Sequence, residues 1–351
     1  MAAAEPVAGE LTGAANGCTG HVAVAVTDAI APPGAVVLFV PAFPDGGQRT
    51  VGGVHYLDQD GTPVPVSETE FAVGPVFGYR SRHLADWVRE AGGPRRAAQL
   101  VPLGELRLRG PGAVARVLRA AQAGTVVLPD AVSEAGIRAI AIGLLDAERS
   151  GKPVAVRSAA TFAALRAGAR SPGLLTRTGP AGGPVLIVCG SHTAASTRQL
   201  SRLGERLPGP VVLPDDAAAG DPRDAARRLA PPLRQRLADR GAAILATPRH
   251  RRPEHSSLGW GARVMAALTA VVAQVGQHCA GVIAKGGTTS AEVAVRGPGA
   301  RRARVRGQPL PGVSLWDLDL DGRTLPYVAV PGNVGDDGTL VTLAGRLGAV
   351  C

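Results

Sequence analysis

Short runs in which every residue is apolar, many of them β-branched, alternate along this chain with longer stretches of helical spacing. That alternation constrains the fold most. A strand apolar at every position must be covered on both faces, and a parallel sheet flanked by helices provides the cover. The first half offers strands at Val36–Val40, 125–128 and 153–156, with helical spacing over 81–90 and 134–149. A looser stretch rich in Gly, Pro and Thr, 170–184, reads as a linker. Beyond it, strands are expected at 185–188, 211–213, 243–245, 281–284 and 327–330, with helices at 196–206, 221–240, 261–275 and 338–347. No short internal repeat is visible. The expectation is an α/β chain of two domains, 1–169 and 185–351, joined by that linker, each a mostly parallel sheet flanked by helices.

With 45% hydrophobic residues the chain can build buried cores. No apolar run reaches the roughly 18 residues that cross a bilayer, and the opening MAAAEPVAGE lacks a basic start and an apolar stretch, so no membrane is expected and the cytoplasm is the expected address. Cys18, Cys189, Cys279 and Cys351 are scattered without metal-ligand or redox spacing and read as isolated thiols. A net charge of +10 raises nucleic acid as a partner. Yet all but two of the 38 basic residues are arginines, spread along the chain as a GC-rich coding bias would spread them. Aromatics at 3% leave few platforms for stacking bases. No nucleic-acid partner is expected.

The second half repeats one local design three times: an apolar strand, a glycine turn, a helix start. The turns are Gly190-Ser191-His192, then Lys285-Gly286-Gly287-Thr288-Thr289-Ser290, then Pro331-Gly332-Asn333-Val334-Gly335. Glycine lets a ligand approach the backbone closely. A helix N-terminus offers unpaired N–H groups and partial positive charge, which suit phosphate. In a parallel sheet such turns gather at the carboxyl ends of the strands. An anionic ligand is expected, a nucleotide before other anions. Each turn alone has a plainer reading: a serine-capped turn, a helix capped by Ser290, a chain reversal. Neither the Walker pattern nor the dinucleotide fingerprint is present.

Taken together, VLIVCGSHTAASTRQLSRL, VIAKGGTTSAEVAV, ARVRGQPLPGVSLW and YVAVPGNVGDDGTL resemble the nucleotide-binding domain of the four-carbon acid sugar kinases, in the family's order and over nearly all of 183–348. PAFPDGGQRTVGGVHY, ETEFAVGPVFGYRSRHLADWV and VVLPDAVSEAGIRAIA resemble that family's first domain. The resemblance implies transfer of phosphate from ATP, with Mg2+, to a hydroxyl of threonate, erythronate or 3-oxo-tetronate. It also implies a sugar acid held mainly by the first domain, a nucleotide mainly by the second, and a ligand cleft between them. Carried over by position, Ser191, Gly286, Gly287, Thr288, Thr289 and Gly332 are the expected ATP contacts, with Ser290 as the helix cap. Lys285 either adds charge there or is an ordinary surface lysine.

The chain departs from that pattern at its start. The family's Asp-Asp-x-Thr-Gly-Ala element is matched by Gly9-Glu10-Leu11-Thr12-Gly13-Ala14, without a preceding apolar strand. Thr19 stands where the Leu-Arg-Gly-His/Asn element has its arginine. The lost acids are natural proton acceptors or magnesium ligands, and the lost arginine a bidentate partner for a carboxylate. Glu10 is the residue that could replace one acid. The sequence therefore allows either a working or impaired kinase, or a non-catalytic nucleotide-binding remnant. Loss of a strand would also expose the edge or face of its neighbour, with Val36–Val40 as the expected strand and dimerisation or aggregation, a homo-oligomer, as the corollary.

Overall fold

The structure is a computed structural model that describes residues 27–59, 61–73, 78–169, 173–176, 178, 182–250, 252–255 and 257–349. Glu10, the altered acidic element and Thr19 lie outside the described residues, as do Cys18 and Cys351. The chain divides between Arg170 and Ser171 into two compact units.

The first unit contains β1 (Val36–Val40), β2 (Gln48–Val51), β3 (Val54–Gln59), β4 (Thr62–Pro65), α1 (Leu84–Gly92), β5 (Ala98–Val101), α2 (Leu103–Arg109), α3 (Pro111–Ala120), β6 (Val126–Pro129), α4 (Glu134–Arg149), β7 (Val154–Ser158) and α5 (Ala160–Arg166). Four strands form a parallel sheet in the order β5-β6-β1-β7. The expectation that β1 would be an open edge is overturned, because β1 pairs with β6 on one side and β7 on the other. The two-residue period of a strand explains why β1 is apolar throughout. Val36, Leu38 and Val40 enter one core with residues of α3 and α4; Val37 and Phe39 enter another with Trp87 and Val88 of α1.

A three-stranded antiparallel sheet, β2-β3-β4, inserts after β1. Gly52 and Gly53 both have positive φ between the paired residues Val51 and Val54, the geometry of a two-residue hairpin turn that strongly favours glycine. Asp130, just beyond β6 and 2% exposed, fixes this turn. Its carboxylate accepts from Gly52 N at 2.8 Å, Gly53 N at 3.0 Å and Leu103 N at 3.0 Å.

The second unit contains β8 (Val185–Cys189), α6 (Ala194–Gly204), β9 (Val211–Val212), α7 (Pro222–Arg240), β10 (Ala242–Ala246), α8 (Leu258–Val275), β11 (Gly281–Lys285), α9 (Gly287–Arg296), β12 (Arg302–Leu310), β13 (Val313–Asp319), β14 (Thr324–Val330) and α10 (Thr339–Arg346). Its sheet runs β12-β13-β14-β11-β8-β10-β9, with β12 and β13 antiparallel to their neighbours and the other pairs parallel. Its first four strands repeat the arrangement of the first unit. In both, the chain runs from an inner strand to one edge, steps back beside that inner strand, then crosses to its other side. Alternate residues of β8 again feed two cores, one under α7 and α8 and one under α6 and α10.

Two features were not anticipated. No strand is assigned from sequence at 302–313, which holds Gly307, Pro309 and Gly312, yet β12 is an edge strand with register shifts at Gly307, where a proline is tolerated. The segment Leu258–His278 is long and apolar enough by length and composition to cross a membrane, contrary to the sequence expectation. Only the second half of α8 packs into the core, with Ala267, Leu268, Val271, Val272 and Val275 fully buried, while residues 258–266 are exposed or half-buried.

Replacing Asp130 by Ala leaves three backbone donors without their acceptor. The expected loss is about 3 kcal/mol or more of first-unit stability, read as a lower urea midpoint. An unchanged midpoint would show that the carboxylate does not hold the turn.

Candidate nucleotide site

In the second unit the crossovers leave β8 and β11 in opposite directions, which places the topological switch point beyond the carboxyl ends of those two strands. The strand ends are flush: Lys285 is the register partner of Cys189 on one side and of Val330 on the other. The three glycine turns follow directly from β8, β11 and β14, so the sheet stacks them side by side.

The glycines are there because the turns touch. A Cβ on Gly190 would lie 2.2 Å from Thr289 Oγ1; one on Gly286, whose φ is +119°, would lie 2.9 Å from the same atom; one on Gly332 would lie 2.7 Å from Ser191 Oγ. Hydrogen bonds tie the turns together. Gly190 N and Ser191 N donate to Lys285 O at 3.2 and 3.3 Å, and Gly286 N donates to Val330 O at 2.8 Å. Thr193 Oγ1 and Ser196 Oγ donate to Gly332 O at 2.8 and 3.1 Å, and Ser196 Oγ lies 2.9 Å from Ser191 Oγ.

Of the residues expected to contact nucleotide, the structure gives different positions to different members. Gly287 and Thr288 open α9 and reach the surface, Thr288 being exposed. With Thr289 they supply the first three N–H groups of the helix, which have no carbonyl one turn back. The Thr289 side chain is buried, wedged into the space that Gly190 and Gly286 leave. Ser290 is not the helix cap. It lies in the first turn, 5% exposed, and its hydroxyl donates to Ala284 O at 3.0 Å and Gly286 O at 2.8 Å. Gly286 is the N-cap residue instead. Neither the Ser290 hydroxyl nor its N–H, which donates to Gly286 O, is left for a ligand.

Lys285 is not a surface residue. It is fully buried, and Nζ donates to Pro331 O at 2.8 Å and Val334 O at 2.9 Å. Both partners are neutral carbonyls. Burial lowers its pKa to about 7, with a smaller opposing effect from Cys189, whose own thiol is pushed up by burial. Gln199 Nε2 donates to Val334 O and Gly335 O, each at 3.2 Å. The carbonyls of Pro331, Gly332, Val334 and Gly335 are therefore all drawn toward side-chain donors. In a trans peptide the N–H points opposite to the C=O, so the amides of residues 332, 333, 335 and 336 are turned away from those donors.

Three contributors were missed from sequence. Thr193 and Gln199 sit on or before α6, where they read as ordinary helix residues. Arg249, beyond β10, donates to Ser191 O at 2.6 Å and to Thr247 O and Oγ1 at 2.9 and 2.7 Å. Its placement at a carboxyl strand end was the available signal. Among the described residues no group of three or more His, Cys, Asp or Glu could hold a metal ion.

Comparison with known proteins agrees with this division of the chain. Residues 13–166 match a sugar-binding N-terminal domain and residues 186–340 a nucleotide-binding C-terminal domain. A D-threonate kinase of Cupriavidus necator is 28% identical over 305 residues, spanning 84% of this chain and 68% of that protein. Two solved structures share the fold. A Salmonella typhimurium LT2 protein named as a tRNA synthase has a TM-score of 0.61 at 18% identity over 88% of this chain and 72% of its own. The Haemophilus influenzae protein HI1011 has a TM-score of 0.53 at 18% identity over 89% and 74%. The chain belongs to the four-carbon acid sugar kinase family.

Proposed function

We propose that this chain uses ATP to phosphorylate a hydroxyl of a four-carbon acid sugar of the threonate class. The observation that carries the reading is the convergence of three glycine turns on one switch point, with the first amides of α9 at the surface and those of the third turn directed away from its side-chain donors. The N–H groups of Gly287, Thr288 and Thr289 donate to phosphate oxygens at the positive end of α9. The Ser191 hydroxyl and the amide of Gly332 face the same ligand. Ser290 acts only through the shape of the turn. ATP supplies the phosphoryl group, and Mg2+, held chiefly by its phosphates, would neutralise its charge.

Glu10 is the candidate proton acceptor. A longer side chain in place of the paired aspartates displaces the carboxylate from the reacting hydroxyl, and catalysis by positioning tolerates little displacement. The chain is therefore expected to bind nucleotide well and turn over slowly. The second reading, a nucleotide-binding protein without turnover, is favoured by the same Gly9-Glu10 pair and by Thr19.

Two measurements separate the readings. Calorimetric titration should show ATP binding that is lost in Gly287→Val, whose branched side chain covers the helix start; unchanged affinity would remove the site assignment. ADP release with threonate, erythronate and 3-oxo-tetronate should fall below ordinary enzyme rates of about 1–1000 per second. A rate within that range would show that Glu10 or another residue serves fully as the acid.

A third expectation concerns pH. Free Lys285 has a pKa of about 7, and a phosphate placed near it favours its charged form. The bound state then holds more protons than the free state above pH 7, so affinity must fall as pH rises. Between pH 7.5 and 9 the nucleotide phosphates are already ionised (second pKa about 6). The fall is expected to approach, and not exceed, about tenfold per unit, and to vanish in Lys285→Met. A wild-type affinity independent of pH would separate Lys285 from the bound phosphates.

A further inference from the structure

The first unit repeats the strand order of the second, so its own switch point lies beyond the carboxyl ends of β1 and β7. Those ends are joined: Ala159 N donates to Val40 O at 2.9 Å. The residues placed just beyond β1 are of a different kind from the glycine turns. Gln48 is 1% exposed. Its backbone is satisfied by reciprocal bonds with Phe43, yet neither the oxygen nor the nitrogen of its side-chain amide has a partner. His55 is 4% exposed; its Nδ1 lies 3.1 Å from Thr50 Oγ1, the Arg49 backbone acts weakly on the ring, and no well-aligned hydrogen bond reaches its Nε2.

The register Gln48↔Leu57 and Thr50↔His55 places Gln48 and His55 on the same buried face as diagonal neighbours, a spacing of about 7 Å in antiparallel sheets. At the start of α5, beyond β7, the buried Thr161 hydroxyl is likewise unpartnered. Native proteins seldom leave such groups unpaired, and a buried amide and imidazole side by side without partners call for a ligand or water to satisfy them.

We propose that Gln48 and His55 read the hydroxylated carbon chain of the acid substrate at the carboxyl end of the first-unit sheet. The proposal rests on the kinase reading for the identity of that substrate. The chemistry selects a polyol over an anion. The amide offers two donors and an acceptor, and the imidazole offers one donor or acceptor according to its tautomer. Burial lowers the His55 pKa to about 4, so the ring is neutral near pH 7. Neutral groups of both polarities complement hydroxyls, which donate and accept. Both side chains are closed off from bulk solvent, so entry requires local opening and association should be slow.

The test uses the full chain with Gln48→Met, a swap of similar length that removes the polar atoms. Thermal unfolding and calorimetry with D-threonate, D-erythronate and, as a control, ATP give the readout. Groups kept for a ligand are unpaired without it, so Gln48→Met should hold or raise the unfolding temperature, keep ATP affinity, and weaken acid binding at least tenfold. A lowered unfolding temperature with unchanged acid affinity would overturn the proposal and assign Gln48 to internal water. A wild-type chain that binds ATP but neither acid would also overturn it. Loss of acid binding in the variant, in a chain that transfers no phosphate, would uphold this site and remove the kinase reading. If Gln48→Met fails to fold, His55→Gln carries the same readout and the same outcomes.

Discussion

In-register parallel pairing of β8, β11 and β14 is the constraint on which the second unit depends. Because Cys189, Lys285 and Val330 end their strands at one level, the chain leaves the sheet three times at adjacent points. Three turns emerging side by side cannot all carry side chains. Glycine at 190, 286 and 332 follows from that crowding before any ligand is considered, and the hydroxyls of Ser191, Thr193, Ser196 and Thr289 fill what the glycines leave. A close-packed bundle of turns with outward amides is then a by-product of strand register. The phosphate-binding character of such places in α/β proteins has this geometric origin.

Much of this was legible in the sequence, and the reasons differ by element. The core strands were visible because burial on both faces leaves no polar residue in them, as in Val185–Cys189 and Ala242–Ala246. Helix α4 was visible at both ends because its apolar spacing runs unbroken from Glu134 to Arg149. The hairpins were not. Strands β2 and β3 are short and half polar, and their only strong signal was Gly52-Gly53 between paired valines. The burial of Lys285 could not be read at all, since a lysine that ends an apolar strand looks the same whether it meets water or the carbonyls of a distant turn. Ser290 misled for a related reason. A hydroxyl in the first turn of a helix can cap the end or bond back to the preceding strand, and only the geometry of Gly286 selects between them.

The two units solve one topological problem with different chemistry. Each reverses its crossovers beside an inner strand. One fills the resulting end with backbone amides and a buried ammonium, the other with an amide, an imidazole and a hydroxyl. A shared strand order thus marks the same end of each sheet and says nothing about the chemistry found there. The side chains on the segments that follow each strand decide that.

The edge strand β12 carries a different consequence. Its first residues, from Arg302 to Val305, are exposed, and Arg302 and Arg304 stand opposite Asp319 and Asp317 of β13. A second chain approaching that edge meets the field of these guanidinium groups, lessened by the aspartates beside them, as well as the backbone. This guard is purely coulombic, whereas the attraction of unpaired N–H and C=O groups is not. As ionic strength approaches 1 M the screening length contracts to about 3 Å, less than the roughly 4.8 Å that separates paired strands. The repulsion is then spent before two edges come within bonding distance. Concentrated salt, which keeps many basic proteins in solution, is the condition under which this edge loses its electrostatic guard.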